Sequence, residues 1–126
     1  MNFEEALRHE LSTITGVQDK VYPVFAEEGI KPPFVIYVSS EGVPDMTFDG
    51  YLTSMELECE IHVVHTGYSE MKVLVKEVLS KLLTFYGRSI GIDGPFIRSL
   101  SFDRPTEVHE KEVGFYRSSF DINVRL

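Results

Sequence analysis

The chain is nearly devoid of cysteine. A single one, Cys59, in 126 residues excludes an internal disulfide framework and suits a reducing compartment or an assembly formed in one. Tryptophan is absent, and lysine and arginine together number 12 against 20 acidic residues, a formal net charge of -8. That balance argues against a general phosphate-binding surface, because duplex binding normally needs clustered Lys and Arg. No apolar run approaches the roughly 18 residues of a membrane span. The opening Met1-Asn2-Phe3-Glu4-Glu5 is too acidic to read as a signal peptide. Internal repeats, low-complexity tracts and linkers are missing as well.

What is present is the composition of a folded protein. Hydrophobic residues make up 43% and charged ones 25%, which argues against wholesale disorder. A chain of this length buries roughly two-thirds of its unfolded surface, and it reads as one domain over residues 1–126.

The strongest periodic signal runs from Tyr68 to Tyr86. Met71, Leu74, Val75, Val78, Leu79, Leu82, Leu83 and Tyr86 recur at three- and four-residue spacings and predict one wide apolar helix face. Lys72, Lys76, Glu77, Ser80, Lys81 and Thr84 occupy the other side. Thr66 or Gly67 can open this helix and Gly87 can close it, with Glu70 placed to favour the positive end of the helix dipole. A shorter amphipathic helix is predicted over Phe3–Ile14, with Asn2 as its N-cap and Phe3, Leu7, Leu11 and Ile14 along one side.

Strand patterns flank these helices. Val21-Tyr22-Pro23 is a short extended piece that Pro23 limits to an edge or a strand end. Lys31-Pro32-Pro33 leads into a strand over Phe34–Ser40. Glu41–Leu52, with Gly42, Pro44, Asp45, Asp49 and Gly50, reads as a long loop or hairpin tip carrying Met46, Phe48 and Tyr51. Thr53–His65 has the cleanest alternation, apolar Met55, Leu57, Cys59, Ile61 and Val63 against Glu56, Glu58, Glu60 and His62. A third strand is expected over Phe96–Asp103, ended or broken at Pro105, with a charged turn at Glu110-Lys111-Glu112. The last, Phe115–Leu126, puts Tyr116, Phe120, Ile122, Val124 and Leu126 on one face and Arg117, Ser119, Asp121, Asn123 and Arg125 on the other. The expected fold is α+β in the order α-β-β-α-β-β, a mostly antiparallel four-stranded twisted sheet with both helices packed on one face. Its second face is the less apolar one and either meets solvent or another subunit.

Catalytic constellations are weak. His62 and His65 stand three apart, so on a strand they point to opposite faces and do not share a metal ion. Cys59 lies on the apolar face of its strand, the setting of an inert buried thiol. Asp45 and Asp49 lack the rest of a calcium-loop pattern. Gly87, Gly91 and Gly94 precede no helix and match no phosphate-binding fingerprint. Glu56, Glu58 and Glu60 on one strand face call for solvent or for basic residues on a neighbouring strand, and Arg117 and Arg125 are available for that. Beside His62 the same carboxylates could serve a small enzyme or ligand-binding domain, the weaker reading.

Four features in order carry a family resemblance: a short N-terminal helix ending before Val21-Tyr22-Pro23, Pro33-Phe34-Val35-Ile36-Tyr37, Leu57–His65 running directly into Thr66-Gly67-Tyr68-Ser69-Glu70 and the long helix, and Tyr116-Arg117 followed by Phe120-Asp121-Ile122-Asn123-Val124. The arrangement resembles the tail completion, tail terminator or tail-to-head joining proteins of tailed bacteriophages. It covers nearly the whole chain with short, permissive motifs.

The resemblance implies a structural protein with no cofactor and no catalysis. Such a protein forms a hexameric ring at the head-proximal end of the tail tube, at the tail–head junction of a virion assembled in the host cytoplasm. Its partners are copies of itself, the tail-tube protein and the head connector or head-completion protein, with DNA passing through the lumen without specific binding. A subunit ring needs two different complementary surfaces on each copy. Candidates in this chain are Met46, Phe48, Asp49 and Tyr51 in one loop, and Glu56, Glu58, Glu60, Arg117 and Arg125 on the sheet face. Another neck component, such as a head-completion protein or minor tail adaptor, is the alternative within the same class.

Overall fold

The two segments with the best alternation become the two central strands of the sheet. The computed structural model describes the backbone of residues 1–40, 43–47 and 50–126, and the side chains of 1–40 and 55–126. In chain order the elements are α1 (Phe3–Leu11), β1 (Val21–Pro23), β2 (Phe34–Ser39), β3 (Val43–Thr47), β4 (Gly50–His65), α2 (Tyr68–Leu83), β5 (Ser99–Phe102), β6 (Thr106–Glu110) and β7 (Phe115–Arg125). β4 and β7 pair antiparallel from Glu56↔Arg125 to His65↔Tyr116. Each carries two shorter strands in series on its outer edge. β4 takes β3 and then β2, both antiparallel, and β7 takes β5 and then β6.

Among the described residues the fold is thus α+β with two helices, but the expected four antiparallel strands are seven in a mixed sheet. Three short segments account for the difference. Val21–Pro23 pairs with Val35–Tyr37 in parallel at the free edge of the sheet, where the missing N–H of Pro23 costs no ladder bond, and the last bond runs from Val24 N–H to Tyr37 O at 2.9 Å. Pro105 breaks the expected third strand, and β7 is long enough to receive the two halves one after the other. Phe96 and Ile97 do not belong to β5. They close a tight hairpin with residues 87–90, through Ile97 N–H to Arg88 O at 2.9 Å and Gly87 N–H to Ile97 O at 2.8 Å. Within Glu41–Leu52, expected as a loop or hairpin tip, Val43–Thr47 and Gly50 onward are paired strand.

Both helices cover one face. Asn2 caps α1 as expected: its Oδ1 accepts from Glu5 N–H at 2.9 Å, while Glu5 Oε1 accepts from Asn2 N–H at 3.4 Å, a reciprocal capping box. Phe3, Leu7, Leu11 and Ile14 join Met71, Leu74, Val75, Val78 and Leu82 of α2 over Leu57, Cys59, Ile61, Val63, Phe120, Ile122 and Val124 of the sheet. Full burial of each large aliphatic contributes about 1.5–3 kcal/mol. The helix stops earlier than Tyr86. Its last turn tightens to an i→i+3 bond, Phe85 N–H to Leu82 O at 3.0 Å, which shifts the phase of the residues beyond it. Phe85 therefore enters the core, while Leu83 and Tyr86 stand 60% and 69% exposed.

The opposite face has a small core of its own at one end. Phe34, Ile36 and Val64 pack with Tyr22, Ala26, Ile30 and Phe115, so residues between β1 and β2 cover that end of the sheet. This connection leaves β1 through a three-residue turn in which Phe25 N–H donates to Pro23 O at 2.7 Å. The central residue, Val24, has φ +67. A β-branched side chain is rarely held there, and the strain costs on the order of 1–3 kcal/mol.

Candidate functional site

On β4 the even-numbered residues point away from the helices, and the register with β7 decides what each glutamate meets. Glu56 lies opposite Arg125, and the Arg125 guanidinium reaches its Oε2 at 3.3 Å. Glu58 lies opposite Asn123, and Glu60 opposite Asp121. Arg117 turns the other way and pairs with Glu110 of β6. The expectation that both arginines serve the glutamate row thus holds for Arg125 and fails for Arg117, which sits opposite Val64, beyond the acidic row.

The result is a like-charged cluster. Asp103, at the end of β5, accepts from Asp121 N–H at 3.0 Å and donates its own N–H to Asp121 O at 3.2 Å. Glu58, Glu60, Asp103 and Asp121 are all exposed. Among the described residues no lysine or arginine pairs with Glu58, Asp103 or Asp121. Two shallow hollows of about 310 and 220 Å³ open between them, both lined by Asp103 and Asp121. His62 Nε2 lies 2.6 Å from Glu60 Oε1, while its Nδ1 is buried without a hydrogen-bond partner among the described residues. Among the described residues no three potential ligands are grouped to hold a metal. His65 is separate from His62 as expected, its Nδ1 accepting from Thr66 N–H at 2.8 Å.

Cys59 faces the core and is 1% exposed. Burial pushes its thiol pKa up to about 12, so at neutral pH almost no thiolate forms.

Of the loop candidates, Met46 and Tyr51 are register partners in the β3–β4 hairpin. Phe48 and Asp49 lie outside the described residues. β7 ends opposite Glu56 and Leu126 N–H reaches only to Met55 O, so Gly50 and Tyr51 pair with β3 alone, past a register shift between Pro44 and Met46. β3 continues only three residues past Pro44, to Thr47, so at strand rise this ribbon extends about 10 Å beyond the central pair.

The polar face of α2 is partly engaged within the molecule. Glu107 of β6 accepts from Tyr68 Oη at 3.0 Å and from Lys72 Nζ, tying the start of α2 to the sheet edge. The Lys72 ammonium holds the Glu107 carboxyl below its ordinary range. Lys81 Nζ lies 3.5 Å from Glu10. Glu10 itself, buried at the end of α1, receives the Arg88 guanidinium. Sequence patterning did not single out Asp103 or the Glu10–Arg88 pair, because their partners come from distant segments.

No family model and no curated protein matches the chain. Solved structures do match by fold. One is a chain of the virion of a native gene transfer agent particle, with a TM-score of 0.72 and 13% identity, covering 98% of this chain and 92% of that one. A second solved structure, whose name describes no function, gives a TM-score of 0.52 at 15% identity, covering 97% of this chain and 89% of its own. At these identities the likeness is one of fold.

Proposed function

We propose that this chain is a structural virion protein that caps the head-proximal end of a tail tube as a ring, ends tube polymerisation and joins tail to head. The observation that carries the reading is the end-to-end fold match to a chain of a gene transfer agent virion. The ordered sequence features that resemble tail terminators support the same class. The role needs no cofactor and no reaction, only surfaces.

Two surfaces suit it. On the Glu58, Glu60 and Asp121 face acidic groups outnumber the basic ones, Arg104 being the single lysine or arginine among the described residues that line its two hollows, so it suits a basic partner. The β3–β4 ribbon, with Met46 and Tyr51, reaches past the sheet toward a neighbouring copy or the tube, and Phe48 and Asp49 belong to the same proposed contact. Glu56 and Arg125, already paired, and Arg117 flank the acidic face. A net charge of -8 suits a lumen through which DNA passes without being gripped. Copies of itself, the tail-tube protein and the head connector are the partners, at the tail–head junction of a particle built in the host cytoplasm.

The ring is measurable. Six 14.4 kDa chains give a closed assembly of about 86 kDa, formed alone or on tube ends. Electron microscopy of particles lacking the protein tests the role. Overlong tubes support a terminator. Tails of normal length beside unjoined heads place the protein on the head side of the neck instead. A protein that stays monomeric at high concentration and ignores tube ends sinks the ring.

A further inference from the structure

Among the described residues β1, β3, β5 and β6 lie outermost in the sheet, and three of them carry residues that discourage further pairing. β1 ends in Pro23, β3 contains Pro44 and Asp45, and β6 contains Glu107 and Glu110. β5 (Ser99–Phe102) has neither charge nor proline, and it pairs with β7 on one side only. Asp103 N–H donates to Asp121 O at 3.2 Å. By the alternation of an antiparallel ladder, the N–H and C=O of Leu100 and Phe102 therefore point to the open side. Neither residue makes a backbone bond to a further segment among the described residues.

The two sides of this edge differ in chemistry. On the helix side, Leu100 and Phe102 lie opposite the core residues Val124 and Ile122. Phe102 is nevertheless 37% exposed, with its ring edge-on to Phe120 at 6.4 Å. Leu79 and Leu83 of α2 fall about three turns beyond Tyr68 and Lys72 on the same side of the helix, the side that Glu107 ties to this edge of the sheet. Leu83 is largely exposed there. On the other side, the hollow of about 310 Å³ is lined by Glu58, Ser101, Asp103, Asp121 and Asn123. Glu58, Asn123 and Ser101 form one cross-strand row that ends at the open edge. No lysine or arginine lines this hollow among the described residues, and Arg104 belongs to the neighbouring one.

We propose that β5 accepts an added strand from another protein, an extended segment in which apolar and basic residues alternate. Backbone bonds to Leu100 and Phe102 hold it. Its apolar side chains cover Phe102 and Leu83, and its basic side chains, on the opposite face, reach Asp103 and Asp121. Charge selects the occupant. The outer strands β1, β3 and β6 of a second copy contain no lysine or arginine, and β5 is uncharged, so none of them brings a cation to the hollow. The contact goes beyond the ring and does not depend on it, because a monomer presents the same edge.

The probe is a capped peptide of about ten residues alternating valine and lysine, titrated into the full-length chain at near-physiological salt. It should bind and slow amide hydrogen exchange at Leu100 and Phe102. Replacing its lysines by glutamate, replacing its valines by glycine, or methylating the amide nitrogens that face β5 should each weaken binding by about tenfold or more. Amide methylation changes no charge and leaves the protein untouched, so it separates an added strand from general attraction to an acidic chain. Asp121→Lys, at an exposed position without an ion pair among the described residues, should turn the preference toward the valine–glutamate peptide while circular dichroism melting stays close to wild type. The proposal falls if the valine–lysine peptide does not bind, if its methylated form binds equally well, or if protection appears away from β5. Protection of Leu100 and Phe102 that grows with protein concentration alone also overturns it and makes a second copy the occupant.

Discussion

Glu10 and Arg88 meet across 78 residues of chain as a two-pronged pair, Nη1 to Oε1 at 2.9 Å and Nη2 to Oε2 at 3.1 Å. Gly91 N–H adds a third donor to the same carboxylate at 3.0 Å, and the Arg88 Nε donates to Thr84 O at 2.8 Å. The pair fastens α1 to the segment that follows α2. The Glu10 side chain is only 10% exposed, so its charge depends on these partners.

Acid should release this fastening. The Arg88 hydrogen bonds lower the Glu10 pKa from 4.5 to about 2. A carboxylate whose folded pKa is depressed stabilises the fold above its unfolded pKa, and the contribution disappears as pH falls through the folded value. The shift corresponds to about 3 kcal/mol at neutral pH, lost between roughly pH 4.5 and pH 2. Glu10→Gln should therefore unfold more easily than wild type in urea at pH 7, and the two should converge near pH 2. A gap that stays constant across that window would show that the pair contributes no pH-dependent stability. Arg88→Ala, which leaves the carboxylate buried without its main partner, should cost more, about 3–5 kcal/mol.

Gly91 is required twice over. It sits at φ +66, and a Cβ there would lie 2.8 Å from the Ala6 Cα and 2.9 Å from its Cβ. Gly87, at φ +74, has open space around the same position. Gly87→Ala should cost about 1–2 kcal/mol for the left-handed backbone alone, and Gly91→Ala clearly more, because α1 must move. Chemical denaturation of the two variants side by side checks the ordering, and equal losses would mean that α1 yields freely.

The helices and the central strand pair were legible because their information is local. Alternation from Leu57 to Val63 and from Phe120 to Val124 assigns the buried face residue by residue, and the Asn2–Glu5 capping box is contained in four consecutive residues. Val21–Pro23 was legible as a short extended edge piece, but the pairing of the short edge strands was not. β1 takes its identity from Val35 to Tyr37 and β6 from Phe115 to Ser119, so nothing within Val21–Pro23 or Thr106–Glu110 states the pairing. The acidic face was half legible. Glu58 and Glu60 follow from alternation, but their company with Asp103 and Asp121, and the departure of Arg117 to Glu110, depend on cross-strand register. Leu83 and Tyr86 continued the helical period on paper, and a single tightened turn exchanged them for Phe85.

Ser118 offers a test of burial on the sheet's inner face. It lies opposite Val63, is fully buried, and its Oγ has no hydrogen-bond partner among the described residues. An unsatisfied hydroxyl in an apolar core costs about 1–3 kcal/mol. Ser118→Ala removes the hydroxyl and leaves only a small void, so it should raise stability by about 1 kcal/mol, read as a higher denaturation midpoint with an unchanged slope. A loss of stability would mean that the hydroxyl is satisfied in solution.

Relief of the strained turn should stabilise the monomer while sparing the rest of the fold. Val24 at φ +67 is a β-branched residue in a backbone region that Asn tolerates far better. Its side chain is 64% exposed, so replacing it removes little buried surface. Val24→Asn should therefore raise the monomer's stability by about 1 kcal/mol, and Val24→Gly by less, because glycine gives back part of the gain through a more flexible unfolded chain. Thermal melts of the two variants at a concentration too low for assembly check the order Asn, then Gly, then wild type. If both melt below wild type, the turn carries no strain to release.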